Sequence, residues 1–398
     1  MSVYTPGALS GSQSSLREAN SARVVESIRR YGRITQVELS AATGLSQATI
    51  SNIVKRLAAQ GAVELTSTVR SGRRAQLVSL VRTGKLVAGV SIGRRSLRLV
   101  LSDASGTDST GQTLPLPIDH KVDTTLDRTA LLLMDLLETT GAAADDLAAI
   151  GLTLPAPIDP DASMIATPGI MRGWEDVDVG GVLERRLSKR VLVVNDANAS
   201  VVAENRFGAL RGVSTCAYVH ASYQTGAGIL VDGRPHLGAR GLAGEIGHVL
   251  VDPMGRICAC GARGCLNTVV GAEALLDLLR LSRGQMTLRD LLSLASAGDP
   301  GCRQVILDAG GAIGAVLADI AIVTGIERIA IGGELTEASG VFFDPIRRAI
   351  AERPLLSPCA PDVVPAALGE DAAPLGAAAL ARDAFVPDFA APTDEEEP

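Results

Sequence analysis

Apolar positions along this chain keep one period up to about Lys85 and another beyond it. In the first stretch the spacing is helical. Val24, Val25 and Ile28 share one face of the segment 22–30, and Ile50, Ile53, Val54 and Leu57 recur at i, i+3, i+4 and i+7 of SQATISNIVKRLAAQG. Beyond Lys85, short apolar runs bounded by glycine predict strands: LVAGVSIG and RSLRLVLSDASG as a hairpin, then 148–159, 190–198, 215–233 and 328–335. Helical segments such as DRTALLLMDLLETTG and GAEALLDLLRL lie between them. Strands alternating with helices predict an α/β architecture.

Capping residues sharpen the first region. Thr35 with Glu38 three residues on is a capping box, Gly44 suits a tight turn, Ser46 caps the next helix and Gly61 ends it. The apolar stripe of that second helix packs inward. Its other face carries Ser51, Asn52, Lys55 and Arg56, with Ser46, Gln47 and Thr49 toward the exposed N-terminal end. A predicted hairpin follows: AVELTSTV, a turn at Gly72, then AQLVSL, with Arg70, Arg73 and Arg74 at the tip. Helix, turn, polar helix and basic hairpin in this order predict a winged helix-turn-helix. The second helix is expected in the major groove of DNA, and the arginine tip on phosphates or in a minor groove. A small helical domain that docks protein is the alternative.

Charge supports the same division. The chain carries a net −7, but residues 1–85 hold 12 Lys+Arg against 4 Asp+Glu, a balance of +8, which leaves −15 on the remainder. A basic head on an acidic body predicts that only the head meets a polyanion. Aromatic residues make up 3% of the chain, so its cores must rest on Ala, Val, Leu and Ile. The apolar run 309–325 contains Asp319 and is short for a membrane span; it is expected to be a buried helix. The N-terminus shows no secretory pattern, and Cys216, Cys302 and Cys359 stand apart without obvious partners. A reducing, cytoplasmic setting is therefore expected.

Motifs in the second region carry a resemblance. A strand–Gly turn–strand near residue 89, NDANASVVAE (195–204), GAGILVDG (226–233), GEIGH (244–248), CACGARGCLN (258–267), IGGEL (331–335) and LGAAAL (375–380) follow one another as in the ROK family of repressors, open reading frames and kinases. With the winged helix in front, the chain resembles the repressor branch. The resemblance implies two actin/hexokinase-like α/β lobes with a sugar site in the cleft. The expected boundaries are a disordered stretch 1–16, a winged helix at 17–82, one lobe at 84–195 plus 373–386, a second lobe at 196–372 and an acidic disordered tail at 387–398. A homodimer or homotetramer would suit a palindromic operator.

His248, Cys258, Cys260 and Cys265 bring one of the four histidines and three of the six cysteines into one short run. Three thiolates and an imidazole suit tetrahedral zinc, and a set with no open position predicts a structural role. Gly261 and Gly264 would let the backbone fold round an ion. The resemblance implies the same zinc, beside the sugar site. Reduced buried cysteines are the alternative.

The resemblance also implies which cleft residues meet a sugar. Asp196 stands where the kinases keep their general base; here Asn195 and Asp196 are expected to hydrogen-bond a sugar. For Asp196 the alternative is a helix N-cap. Glu245 and His248 match residues that touch sugar hydroxyls, with a salt bridge the alternative for Glu245. Three departures weigh against kinase activity and cloud the ligand. The first phosphate loop reads Ser91-Ile92-Gly93-Arg94-Arg95, without the family's acidic residue and Gly-Gly-Thr. The second has Tyr223 and Gln224 where small residues are expected. Asn267 replaces a glutamate that contacts the sugar, and the loop before Gly173-Trp174 lacks an asparagine. Trp174 would stack on a sugar or fill core. These readings predict a transcription regulator, most simply a repressor, with a sugar or sugar phosphate as effector and no catalytic residue. The alternatives are a ligand-blind regulator whose body only dimerises, and an active ATP-dependent sugar kinase with a DNA-binding head.

Overall fold

Capping side chains set where the first helices begin and end. In the computed structural model, residues 13–31, 34–70, 73–80, 85–103, 109–167 and 169–386 are described. The contacts divide the chain into two units, one ending at Thr83 and one running from Gly84 to Ala390.

In the first unit, α1 (Gln13–Tyr31) is followed by the short strand β1 (Ile34–Thr35), α2 (Gln36–Thr43) and α3 (Gln47–Ala59). Thr35 Oγ1 accepts the Glu38 amide at 3.3 Å and the Glu38 carboxylate accepts the Thr35 amide at 2.8 Å, which completes the capping box. Gly44, at φ +69°, closes α2 in the left-handed conformation that glycine adopts without a Cβ penalty. Ser46 caps α3 through the Thr49 amide. The strands β2 (Val63–Arg70) and β3 (Arg73–Leu80) pair antiparallel, and β1 adds to β3. Ile50, Ile53, Val54 and Leu57 are buried against Val24, Ile28, Leu39 and Val78, so the predicted stripe is the core of this unit. The turn residue Gly72, residues 1–12 and the tail 387–398 lie outside the described residues. Residues 13–16, expected to belong to the structureless N-terminal stretch, form the first turn of α1.

The second unit opens with the hairpin β4 (Leu86–Ile92) and β5 (Ser96–Asp103), extended by β6 (Ser109–Pro115). After α4 (Val122–Thr139) come β7 (Leu147–Leu154), the small pair β8 (Ile158–Asp159) and β9 (Met164–Ile165), α5 (Val179–Leu187) and β10 (Arg190–Asn195). The first sheet has the order β10-β7-β4-β5-β6, with β4, β7 and β10 parallel. The helix α6 (Asp196–Phe207) leads to β11 (Cys216–Ala221), β12 (Thr225–Val231) and β13 (Arg234–Pro235). The helices α7 (Asn267–Val270), α8 (Ala272–Arg283), α9 (Leu288–Ser296) and α10 (Pro300–Thr324) precede β14 (Arg328–Gly332), α11 (Gly340–Ala351), β15 (Asp362–Pro365) and α12 (Ala372–Phe385). The second sheet has the order β13-β12-β11-β14-β15.

Two sheets of five strands give two lobes, each with its own apolar core. Small residues make the seam between them. The last helix, α12, returns to the first sheet, where a Cβ on Gly151 would meet the Ala377 carbonyl at 2.0 Å. It also packs on α6, which lies against β11 and β12. The near-absence of aromatics is met by alanine: Ala377, Ala378, Ala379 and Ala381 of α12 and Ala197, Ala199 and Ala203 of α6 are all buried. The apolar run 309–325 lies in α10, the one described helix long and apolar enough to cross a membrane. Ile306, Ile313 and Leu317 on this helix are fully buried with Phe342 of α11, so it serves as a core helix.

Candidate functional sites: a polar helix face, a metal cluster and a cleft

The outer face of α3 is polar because its large apolar residues, Ile50, Ile53, Val54 and Leu57, are all on the other side. Gln47, Asn52 and Lys55 are exposed there, and Ser51 is half-buried. Three residues expected on this face have partners within the unit. Ser46 Oγ accepts the Thr49 amide at 3.2 Å and lies 2.8 Å from Thr49 Oγ1, so both side chains build the cap. Arg56, near the other end of α3, donates to Ser21 Oγ of α1. In the wing, the β2–β3 register pairs Arg70 with Arg73 and Val69 with Arg74. Arg70 and Arg73 thus stand directly opposite each other in the register, and Arg74 is next along β3.

The loop from Glu245 to Asn267 folds as a small ribbon. Val251 and Asp252 both donate amides to the Gly264 carbonyl, and the Cys258 amide donates to the Ala262 carbonyl at 2.7 Å. Gly261 (φ +89°) and Gly264 (φ +72°) make the reversals. At Gly264 a Cβ would meet the Asp252 carbonyl at 1.6 Å, so only glycine fits. This folding brings the ligand atoms of His248, Cys258, Cys260 and Cys265 within 4.8 Å of one another. His248 Nδ1 is 3.6 Å from Cys258 Sγ, and Cys260 Sγ is 3.7 Å from Cys265 Sγ. Sulfur at about 2.3 Å and nitrogen at about 2.0 Å from a tetrahedral zinc stand about 3.5–3.8 Å apart along each edge. The donor set therefore fits zinc in chemistry and spacing. The two sulfurs are too far apart for a disulfide, which needs about 2.05 Å. Burial, with the neighbouring thiols, pushes the Cys265 thiol up to about 12. A divalent cation would reverse that tendency by stabilising the thiolates.

His248 has a second nitrogen, and it faces the cleft. Nε2 lies 4.0 Å from Glu245 Oε2. Burial pushes the Glu245 carboxyl up to about 7, and the nearby Asp196 charge adds to this. Burial also raises Asp196, partly offset by the charge of His220 and by the Ala197 amide. Burial lowers His248. Two carboxylates that repel each other thus share a desolvated space at the carboxyl ends of β10 and β11, where open α/β sheets bind ligands. Among the described residues Glu245 has no arginine or lysine partner, and its ionic contact is the 4.0 Å approach to His248.

Two other expectations shift. The N-cap of α6 is Asn195, not Asp196: Asn195 Oδ1 accepts the Asn198 amide at 3.0 Å, and its Nδ2 donates to the Ala156 carbonyl at 3.1 Å. The amide thus has partners on both ends, while Asp196 begins the helix. Asn267 Oδ1 accepts the Thr225 amide at 2.7 Å and so ties the end of the His/Cys loop to the turn between β11 and β12. Trp174 is 2% exposed and meets the His120 ring edge-on at 5.3 Å; it fills core. The loop before it is held instead by Glu175, whose carboxylate accepts the Gly169, Gly173 and Trp174 amides at 2.7–3.1 Å.

Sequence reasoning passed over His220. The strand CAYVHA puts a histidine in an apolar run, one residue from the strand's carboxyl end, and that anomaly was the available signal. It also treated the two turns separately. In the fold, Arg95 of the β4–β5 turn stacks over the Tyr223 ring of the β11–β12 turn, 4.1 Å from its centroid.

Comparison with known proteins agrees with this architecture. Residues 87–384 match the ROK family, and residues 18–74 match the MarR family. The DNA-binding transcriptional dual regulator NagC of Escherichia coli K12 is 30% identical over 87% of this chain and 88% of its own length. The xylose repressor of Bacillus subtilis is 25% identical over 94% of this chain and 97% of its own. A crystal structure of a ROK family transcriptional regulator, a homologue of the E. coli MLC protein, superposes with a TM-score of 0.72 at 26% identity, covering 92% of this chain and 96% of that one. The chain belongs to the ROK family, among the transcriptional regulators that carry a winged helix before the two-lobed domain.

Proposed function

We propose that this protein is a transcriptional repressor whose winged helix binds operator DNA and whose cleft senses a sugar, with no catalytic turnover. Gln47, Ser51, Asn52 and Lys55 would read the major groove, and Arg70, Arg73 and Arg74 would meet phosphates. Ser46 and Thr49 would act mainly through the helix cap, and Arg56 through its tie to α1. One structural zinc held by His248, Cys258, Cys260 and Cys265 would fix the loop that presents Glu245 and His248. A cytoplasmic homo-oligomer suits this role.

The observation that carries the reading is the grouping of Asp196, Glu245 and the free side of His248 at one cleft beside the metal cluster. Carboxylates accept hydrogen bonds from sugar hydroxyls and repel phosphates, so an unphosphorylated sugar or amino sugar suits the cleft better than a sugar phosphate. Arg95, the cation nearest in sequence to the first loop's glycine after Arg94, is stacked on Tyr223. That contact also supports the non-enzymatic reading, since it joins the two turns where a kinase would need open backbone. The ligand-blind alternative draws on Asn195 and Asn267, both of which bond backbone.

A thermal-shift panel of hexoses, pentoses, N-acetylated sugars and their phosphates separates the two. A rise in melting temperature with one compound supports the sensor; no rise across the panel favours a body that only assembles.

A further inference from the structure

The two lobes are cross-linked by side chains at the mouth of the cleft. The β4–β5 turn stands at the carboxyl end of β4, and the β11–β12 turn at the carboxyl end of β11. Arg95 and Tyr223 meet between them, guanidinium over ring. A solvated arginine laid on a tyrosine by chance would have loose anchors at both ends. Here both are built in.

On the first lobe, Leu116 donates its amide to the Arg95 carbonyl at 2.7 Å, and Gly93 to the Ser96 carbonyl at 2.8 Å. His120 braces the same turn: its Nε2 donates to the Gly93 carbonyl at 3.2 Å, and its ring packs edge-on against buried Trp174. On the second lobe, the Ser222 carbonyl accepts the Ala272 amide at 3.2 Å, and the Thr225 amide is held by Asn267. The Tyr223 ring is half-buried against the core of that lobe. Asn267 is two residues from the zinc ligand Cys265. The path from metal loop to opposite lobe is therefore short and continuous: Asn267, Thr225, Tyr223, Arg95.

We propose that Arg95 and Tyr223 form an interlobe latch that sets how readily the cleft opens, and that this latch, rather than a nucleotide, bridges the lobes when the cleft closes on an effector. The inference rests on the sensor reading for its purpose but not for its existence. The aromatic face attracts the guanidinium, and the two turns move as one while the contact lasts. A closed state held by the protein's own side chains needs only the sugar to shift it, with no polyphosphate between the turns.

Hydrogen exchange of the full chain, read by mass spectrometry, tests this on Arg95→Ala, Tyr223→Ala, the double variant and Tyr223→Phe. Either alanine variant is expected to speed exchange in both turns, 92–97 and 222–226, by about two- to five-fold, the range an exposed cation–π contact supports. The double variant should exceed neither single, and Tyr223→Phe, which keeps the ring face, should match the parent protein. Effects confined to each variant's own turn, or additive effects in the double, would overturn the latch. So would protection of both turns by Mg-ATP in the parent protein. Failure of the sensor reading would register elsewhere, as operator binding and a melting temperature indifferent to every sugar, with the exchange pattern intact.

Discussion

Asn267 holds the Thr225 amide at 2.7 Å, and that bond ties the end of the His/Cys loop to the β11–β12 turn. Thr225 is buried, and its hydroxyl has no partner among the described residues. Its amide would have none either without Asn267. Replacing Asn267 with alanine should therefore destabilise the body by about 1–3 kcal/mol, the cost of a buried donor left unpaired. Asn267→Asp keeps the acceptor and should retain most of the stability. Urea unfolding compares the two; equal midpoints for both variants would show that the bond contributes nothing.

Cys260→Ala should lose the metal and loosen the ribbon that carries Glu245 and His248. The donor atoms already stand at tetrahedral spacing, so binding energy is folding energy here. Elemental analysis of the purified variant should find zinc well below one per chain, and a chelator should lower the melting temperature of the parent protein but not of the variant. Full occupancy in Cys260→Ala would contradict the assignment.

Much of this was legible because local rules and the fold agree. The capping box at Thr35 and Glu38, the Ser46 cap and the stripe from Ile50 to Leu57 depend on neighbours within one helix, and each forms as the spacing predicts. The His/Cys run was legible because its residues are close in sequence and share one chemistry. What escaped depends on distant segments. Nothing near Arg95 announces Tyr223, which arrives on another sheet. Asn195 and Asp196 stand side by side at a helix start, and sequence does not say which one turns inward to cap it. Trp174 became core because residues of several distant segments bury it, and His120, from before α4, meets its ring edge-on.

Arg73→Ala should weaken DNA binding about equally on all sequences. Its register partner is Arg70, and both stand next to the wing tip. Loss of one phosphate contact should reduce the slope of log affinity against log salt by about 1. Titrations at several salt concentrations give the slope directly; an unchanged value would remove the wing from the phosphate contacts.

Ser46→Ala should destabilise the winged helix by about 1 kcal/mol through loss of the cap on α3, whereas Ser46→Gly should cost only a few tenths. The difference appears as a lower unfolding midpoint for the alanine variant. Equal stability of alanine variant and parent would show that the cap contributes nothing to the stability of the winged helix.

The most direct test of the central claim is fluorescence anisotropy of the full-length protein on DNA from upstream of its own gene, at fixed salt and with excess non-specific competitor. The account predicts specific binding that one unphosphorylated sugar shifts and that Mg-ATP does not. Specific binding indifferent to every sugar would contradict the sensor, and absence of specific binding would contradict the repressor.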